Sequence, residues 1–94
     1  MGTVQKGARL MRLVITSRAR RDIDRLDKET AKRIQTALDK MLINPHSVDL
    51  KKLEGSVNLW RLRVGDWRVI LRIEKEEITA YALQVSHRRE VYRK

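Results

Sequence analysis

Cysteine is absent from this 94-residue chain. That excludes disulfides and thiolate metal sites alike. Histidine is nearly absent, with only His46 and His87, too few for a convincing zinc or iron centre. No apolar run approaches the roughly 20 residues that a membrane-spanning helix needs, and no signal peptide is visible. Aromatic residues are confined to Trp60, Trp67, Tyr81 and Tyr92. The two tryptophans fall at expected core positions, which argues against recognition of a single strand by stacked bases. Acidic residues are outnumbered: 12 Asp and Glu face 22 Lys and Arg, a formal net charge of +10. A chain of this kind is expected to be cytoplasmic, free of cofactor and metal, and to leave membranes alone. Its charge by itself suits nucleic acid, a membrane surface or an acidic protein, and does not choose among them.

What is present is enough for one small domain. Apolar residues make up 41% of the chain, and their periodicity is clear, so it should fold rather than stay disordered. Residues 1–10, "MGTVQKGARL", lack that periodicity and read as an extension outside the fold, disordered or artificial in origin. Residues 11–94 form the expected domain.

"MRLVIT" reads as a short strand over 12–16. Ser17 is a helix cap, and Ala19, Ile23 and Leu26 follow at helical spacing. Asp27 reads as a second cap, after which Ala31, Ile34, Leu38, Met41 and Leu42 extend the apolar stripe. Asn44–Pro45 stops it, because the residue before proline avoids the helical region. Two helices are predicted, over about 18–26 and 28–43.

From Leu59 the period changes to two. "LWRLRV", the turn "GD", and "WRVILRIE" make a hairpin, with Gly65 opening a type II′ turn. "ITAYALQVS" supplies another strand. The expected fold is α+β, in the order β-α-α-β-β-β. Its antiparallel meander is covered on one face by a helical hairpin.

The two-residue loop sets the hairpin register. Val64 pairs with Trp67, Arg63 with Arg68, Leu62 with Val69, Arg61 with Ile70 and Trp60 with Leu71. Trp60, Leu62, Val64, Trp67, Val69, Leu71 and Ile73 then share the core face. Arg61, Arg63, Arg68 and Arg72 share the other. For the last strand, a turn at Lys75–Glu77 pairs Val69 with Leu83 and Trp67 with Val85. It sets Arg68 opposite Gln84, with Arg88 leaving the strand on the arginine face.

Arg63 and Arg68 sit directly opposite, which destabilises a sheet by a few tenths of a kcal/mol up to about one. Local rules are broken in this way at functional sites. A solvated outer face is the plain alternative. Converging guanidiniums suit a phosphate diester, offering fixed forks of donors to its oxygens. They can stabilise charge building on phosphorus, while Tyr92 or His87 moves the proton. The ending "VSHRREVYRK" would then be part of a site rather than a frayed basic tail.

The segments "LWRLRVGDWRVIL" and "VSHRREVY" resemble the RelE group of the RelE/ParE toxin superfamily. The resemblance runs from about Met11 to the end. It implies a RelE-like fold and a small cytoplasmic ribonuclease that cleaves messenger RNA in the ribosomal A site, with the 2′-hydroxyl as nucleophile. It also implies a neutralising RelB-like antitoxin as partner, besides the ribosome and the message. By motif position, Arg61 and Arg63 match two basic residues on the second strand, where RelE has lysines. Arginine keeps its charge, so neither can be a general base. Arg68 matches the arginine that follows the hairpin aromatic, here Trp67 in place of a tyrosine. Arg88 matches the arginine after the last strand, and Tyr92 the near-terminal tyrosine, across a shorter tail. His87 takes a basic position, and some relatives use histidine for proton transfer, so His87 and Tyr92 both stand as candidate bases. Lys51, Lys52, Arg72 and Arg89 are candidates for contact with the RNA backbone. Two other readings share these features: a ParE-like inhibitor of DNA gyrase, and a basic RNA-binding module without catalysis.

Overall fold

The computed structural model describes residues 11–87. The expected extension over 1–10, and Arg88, Arg89 and Tyr92, lie outside the described residues. Strand β1 is Arg12–Ile15, with Leu13 and Ile15 turned inward and Val14 left exposed. Helix α1 (Ser17–Asp24) follows, capped by Thr16. The Thr16 hydroxyl accepts from the Ala19 N–H at 3.3 Å and donates to the Ala82 carbonyl at 2.7 Å. Ser17 was the expected cap. Thr16 takes the role because its backbone is still extended (φ −67, ψ 164), as an N-cap must be, while Ser17 is already in the helix.

Helix α2 (Lys28–Ile43) begins where the second cap was read. Asp27 Oδ2 accepts from the Thr30 N–H at 3.1 Å. Hydrogen bonding to Thr30 holds the Asp27 carboxyl below its ordinary pKa. Asn44 is extended before Pro45, as proline requires, and Pro45–Ser47 make one 3₁₀ turn. Among the described residues, no helix is long and apolar enough to cross a membrane.

The sheet has five strands, ordered β1-β5-β4-β3-β2. Strand β2 (Asp49–Lys52) was not legible in the sequence. With Leu50 as its one apolar residue, "DLKK" has no alternation to read. Pairing with β3 makes it a strand. Strands β3 (Leu59–Val64) and β4 (Trp67–Glu74) form the hairpin in the expected register, pair for pair. Gly65 has φ +60, and Asp66 is not left-handed, which fits the type II′ turn.

Strand β5 (Thr79–His87) departs from expectation. Val69 pairs with Val85 rather than Leu83, Trp67 with His87 rather than Val85, and Arg68 with Ser86 rather than Gln84. Two one-residue changes produce the shift. The turn runs from Lys75 to Ile78, one residue longer than expected, and Ile78 takes a left-handed φ of 52. A bulge then leaves Leu83 without a cross-strand partner. The first change alone would reverse the faces, and the second restores them. Between the two, Ala80 and Ala82 face the core and Tyr81 faces outward, the reverse of the faces that the expected register gives them.

β1 pairs parallel to β5 at the sheet edge. The fold is therefore the expected α+β class, but the sheet is mixed rather than a pure meander. Ala19 and Ile23 of α1 and Ile34, Leu38, Met41 and Leu42 of α2 pack on Leu62, Val69, Leu71, Ala80, Ala82 and Val85. Trp60, Val64, Trp67 and Ile73 are only partly buried at the margin of this core.

Candidate functional site

The helices cover one face of the sheet, and the other stays open. Side chains of paired residues share a face, so the open face can be read in rows. One row is Arg63, Arg68 and Ser86. The next is Arg61, Ile70 and Gln84, and a further row sets Leu59, Arg72 and Tyr81 together. On β2, Asp49 extends the first row and Lys51 the second. The structure thus brings Arg61, Arg63, Arg68 and Lys51 to one surface.

Their environments differ. Arg63 is exposed and has no ion pair among the described residues. Arg61 reaches Asp49 with Nη2, 3.4 Å from Oδ1, while its Nε is enclosed without a partner among the described residues. Arg68 is on the expected face but only 6% exposed. A solvated outer face would leave it open to water; instead the middle strand of three is flanked on both sides, and a side chain rising from it is enclosed by neighbours. Arg72 lies toward the opposite end of β4. Its Cζ is 4.4 Å from the Tyr81 ring centroid, a cation–π distance. Its Nε is 3.2 Å from Glu74 Oε2, close enough for an ion pair but not aligned as a hydrogen bond. Arg72 is thus largely occupied within the protein.

Two candidates fall away from this surface. Lys52 pairs with Trp60, so it shares the helix-side face rather than that of Lys51. His87 pairs with Trp67 and packs edge-on against it, ring centroids 5.3 Å apart at 85°. It has the opposite parity to Ser86 and Gln84.

Sequence reasoning missed Asp49, whose strand carried no signal, and the outward Tyr81. Tyr81 donates its hydroxyl to Glu77 Oε1 at 2.7 Å, and this bond to a carboxylate raises its pKa. It also missed Asp22, which braces the bulge: Oδ2 accepts from the Val85 N–H at 2.9 Å. Only a fold that sets α1 against β5 can show that bond.

A 430 Å³ groove lies on the other side of the sheet, between α2 and β3, with Ala37, Val48 and Val64 in its lining. Among the described residues, no cluster of His, Cys, Asp or Glu could hold a metal ion. The arginines of this surface can bind and stabilise anionic oxygens, and none of them is a proton acceptor near neutrality.

Residues 13–92 match the family model described as ParE toxin of type II toxin–antitoxin system, parDE. The chain belongs to the RelE/ParE toxin superfamily. This toxin is similar in structure to the RelE–RelB complex of Pyrococcus horikoshii, at 26% identity and TM-score 0.72, covering 84% of this chain and 96% of that one. The RelBE2 toxin–antitoxin complex of Mycobacterium tuberculosis matches at 26% identity and TM-score 0.70, covering 82% and 90%. The RelB–RelE complex of Methanococcus jannaschii matches at 23% identity and TM-score 0.72, over 85% and 95%. No curated protein matches the sequence. The toxin therefore has the RelE-like fold, in agreement with its two helices and five strands.

Proposed function

We propose that this toxin is a cytoplasmic, ribosome-dependent endoribonuclease that cleaves messenger RNA in the A site and so stops translation. The observation that carries the reading is the pair Arg63–Arg68, directly opposed on the open sheet face with Arg61 in the next row. Charges held together against their mutual repulsion suit a polyanion. A phosphodiester lying across this face would meet two guanidiniums, and Arg88, just after β5, would add a third. In the reaction the 2′-hydroxyl oxygen attacks phosphorus, the bond to the 5′-oxygen breaks, and a cyclic phosphate remains. The arginines offset the charge that grows on the phosphorus oxygens.

A base must take the 2′-hydroxyl proton. We assign it to Tyr92 rather than His87, because His87 shares the face of Trp67 and not that of Arg68. Tyr92 ionises at about 10 when free, so nearby arginines must lower its pKa. Lys51 and Arg89 are assigned to the RNA backbone. Lys52 and Arg72 are weaker candidates, one on the other face and one held by Tyr81 and Glu74.

The partner is an antitoxin of the RelB kind, as in the relatives crystallised with theirs. It should be acidic where it meets the toxin. The second reading, inhibition of DNA gyrase, is favoured by one observation, that the matching family model describes ParE toxins. A translation extract separates the two. Cleavage of message only when ribosomes are present supports the ribonuclease, and intact message with altered DNA supercoiling supports gyrase inhibition.

A further inference from the structure

Ser86 is the third member of the row that begins with Arg63 and Arg68. It is 8% exposed, and its hydroxyl is enclosed with no hydrogen-bond partner among the described residues. Buried hydroxyls normally find a partner, and one that does not weakens the fold. No hydrogen bond within the described residues calls for a serine here. An alanine would fit the same backbone without the orphaned hydroxyl, and β5 already uses alanine at Ala80 and Ala82.

The bulge puts Ser86 on this face. Continued without it, the register near the turn would set Val85 opposite Arg68 and turn Ser86 toward the helices. Leu83 absorbs the extra residue, and Asp22 takes the N–H of Val85. Val85 enters the core and Ser86 joins the arginines. Arg61, one row away, also has an enclosed donor at Nε without a partner among the described residues. Two unmet polar groups thus lie on one surface, in neighbouring rows.

We propose that Ser86 is a substrate-contacting residue, donating its hydroxyl hydrogen to an oxygen of the RNA phosphodiester bound beside Arg63 and Arg68. This rests on the ribonuclease reading and adds a neutral donor to its cationic set. The Ser86 hydroxyl is itself shielded from water, where a donor aimed at an anion counts for more than an exposed one. Arg63, exposed, meets the phosphate first, and Ser86 completes the row from the far side.

The test compares the full-length toxin with Ser86→Ala and Ser86→Thr. Three quantities are read: single-turnover cleavage of message on ribosomes, affinity for a labelled 2′-O-methyl RNA oligonucleotide, and the thermal midpoint. Ser86→Ala should lower cleavage and RNA affinity by about 10- to 100-fold, the worth of one hydrogen bond to a charged group. Its midpoint should stay level or rise, because an unmet buried hydroxyl has been removed. Ser86→Thr, which keeps a hydroxyl, should recover much of the loss. Unchanged cleavage and RNA affinity in Ser86→Ala overturns the proposal. So does a midpoint lowered in step with activity, which would make the hydroxyl a structural one. A wild-type toxin that binds the oligonucleotide through Ser86 but cuts nothing on ribosomes would refute the nuclease reading and leave the contact standing.

Discussion

Asp22 offers a sharp test of how the sheet keeps its faces. Its carboxylate touches two things. Oδ2 accepts from the Val85 N–H at 2.9 Å, and Arg18 Nε lies 3.4 Å away, one helical turn back. The arginine side chain is 61% exposed, so that ion pair should be worth only about 0.3–0.5 kcal/mol. The bond to Val85 is another matter. Val85 is 5% exposed, next to the bulge, and among the described residues its N–H has no side-chain acceptor besides Asp22. A buried donor left unmet costs about 1–3 kcal/mol. Asp22→Ala should therefore destabilise by roughly 1.3–3.5 kcal/mol, the sum of the two losses. For a domain of this size that lowers the thermal midpoint by roughly 4–8 °C per kcal/mol. Asp22→Asn keeps an acceptor and loses the charge, so it should fall between Asp22→Ala and wild type. Arg18→Ala should cost no more than about 0.5 kcal/mol. Urea and thermal unfolding of the three variants decide the matter. If Arg18→Ala costs as much as Asp22→Ala, or Asp22→Ala costs less than about half a kcal/mol, the brace is not holding the bulge.

Leu71→Ala, in a fully buried position on β4, should destabilise by about 2–5 kcal/mol in denaturant unfolding. A cost under half a kcal/mol would disprove the core placement. Arg63→Ala should reduce single-turnover cleavage on ribosomes by about 10- to 100-fold while stability shifts by less than about 0.5 kcal/mol. Arg68→Ala should reduce cleavage too but also lower the thermal midpoint, because its side chain is buried; equal midpoints for the two variants would contradict that difference. Tyr81 should ionise above 10.0, because its bond to Glu77 favours the protonated phenol. The stability it lends is full below 10.0 and is lost as pH rises through the folded value. A phenolate absorbance titration should show one tyrosine moving down in Glu77→Gln, and no movement would remove the bond.

The division between sequence and structure follows the range of the interactions. Helix α2 starts at Asp27 and stops at Asn44–Pro45 because capping and proline geometry act within four residues. The β3–β4 hairpin was legible because Gly65–Asp66 leaves one register, and that register sorts core side chains from arginines by parity alone. The α+β class followed from those two periodicities. Resemblance then supplied the family, which the match over residues 13–92 bears out. The rest needed partners distant in the chain. "DLKK" becomes a strand only because β3 offers it an edge. β1 lies parallel to β5 because the chain crosses the sheet through two helices before returning. The β4–β5 register turned on one extra turn residue and one bulge, and the bulge is secured by Asp22, 63 residues before Val85. Parity survived because the two changes cancel, so Arg68 stayed on its face. Its burial, the diversion of His87 to Trp67 and the orphaned hydroxyl of Ser86 arise only when three strands lie side by side. A sequence states which side of its own strand a residue takes, and packing decides what stands next to it.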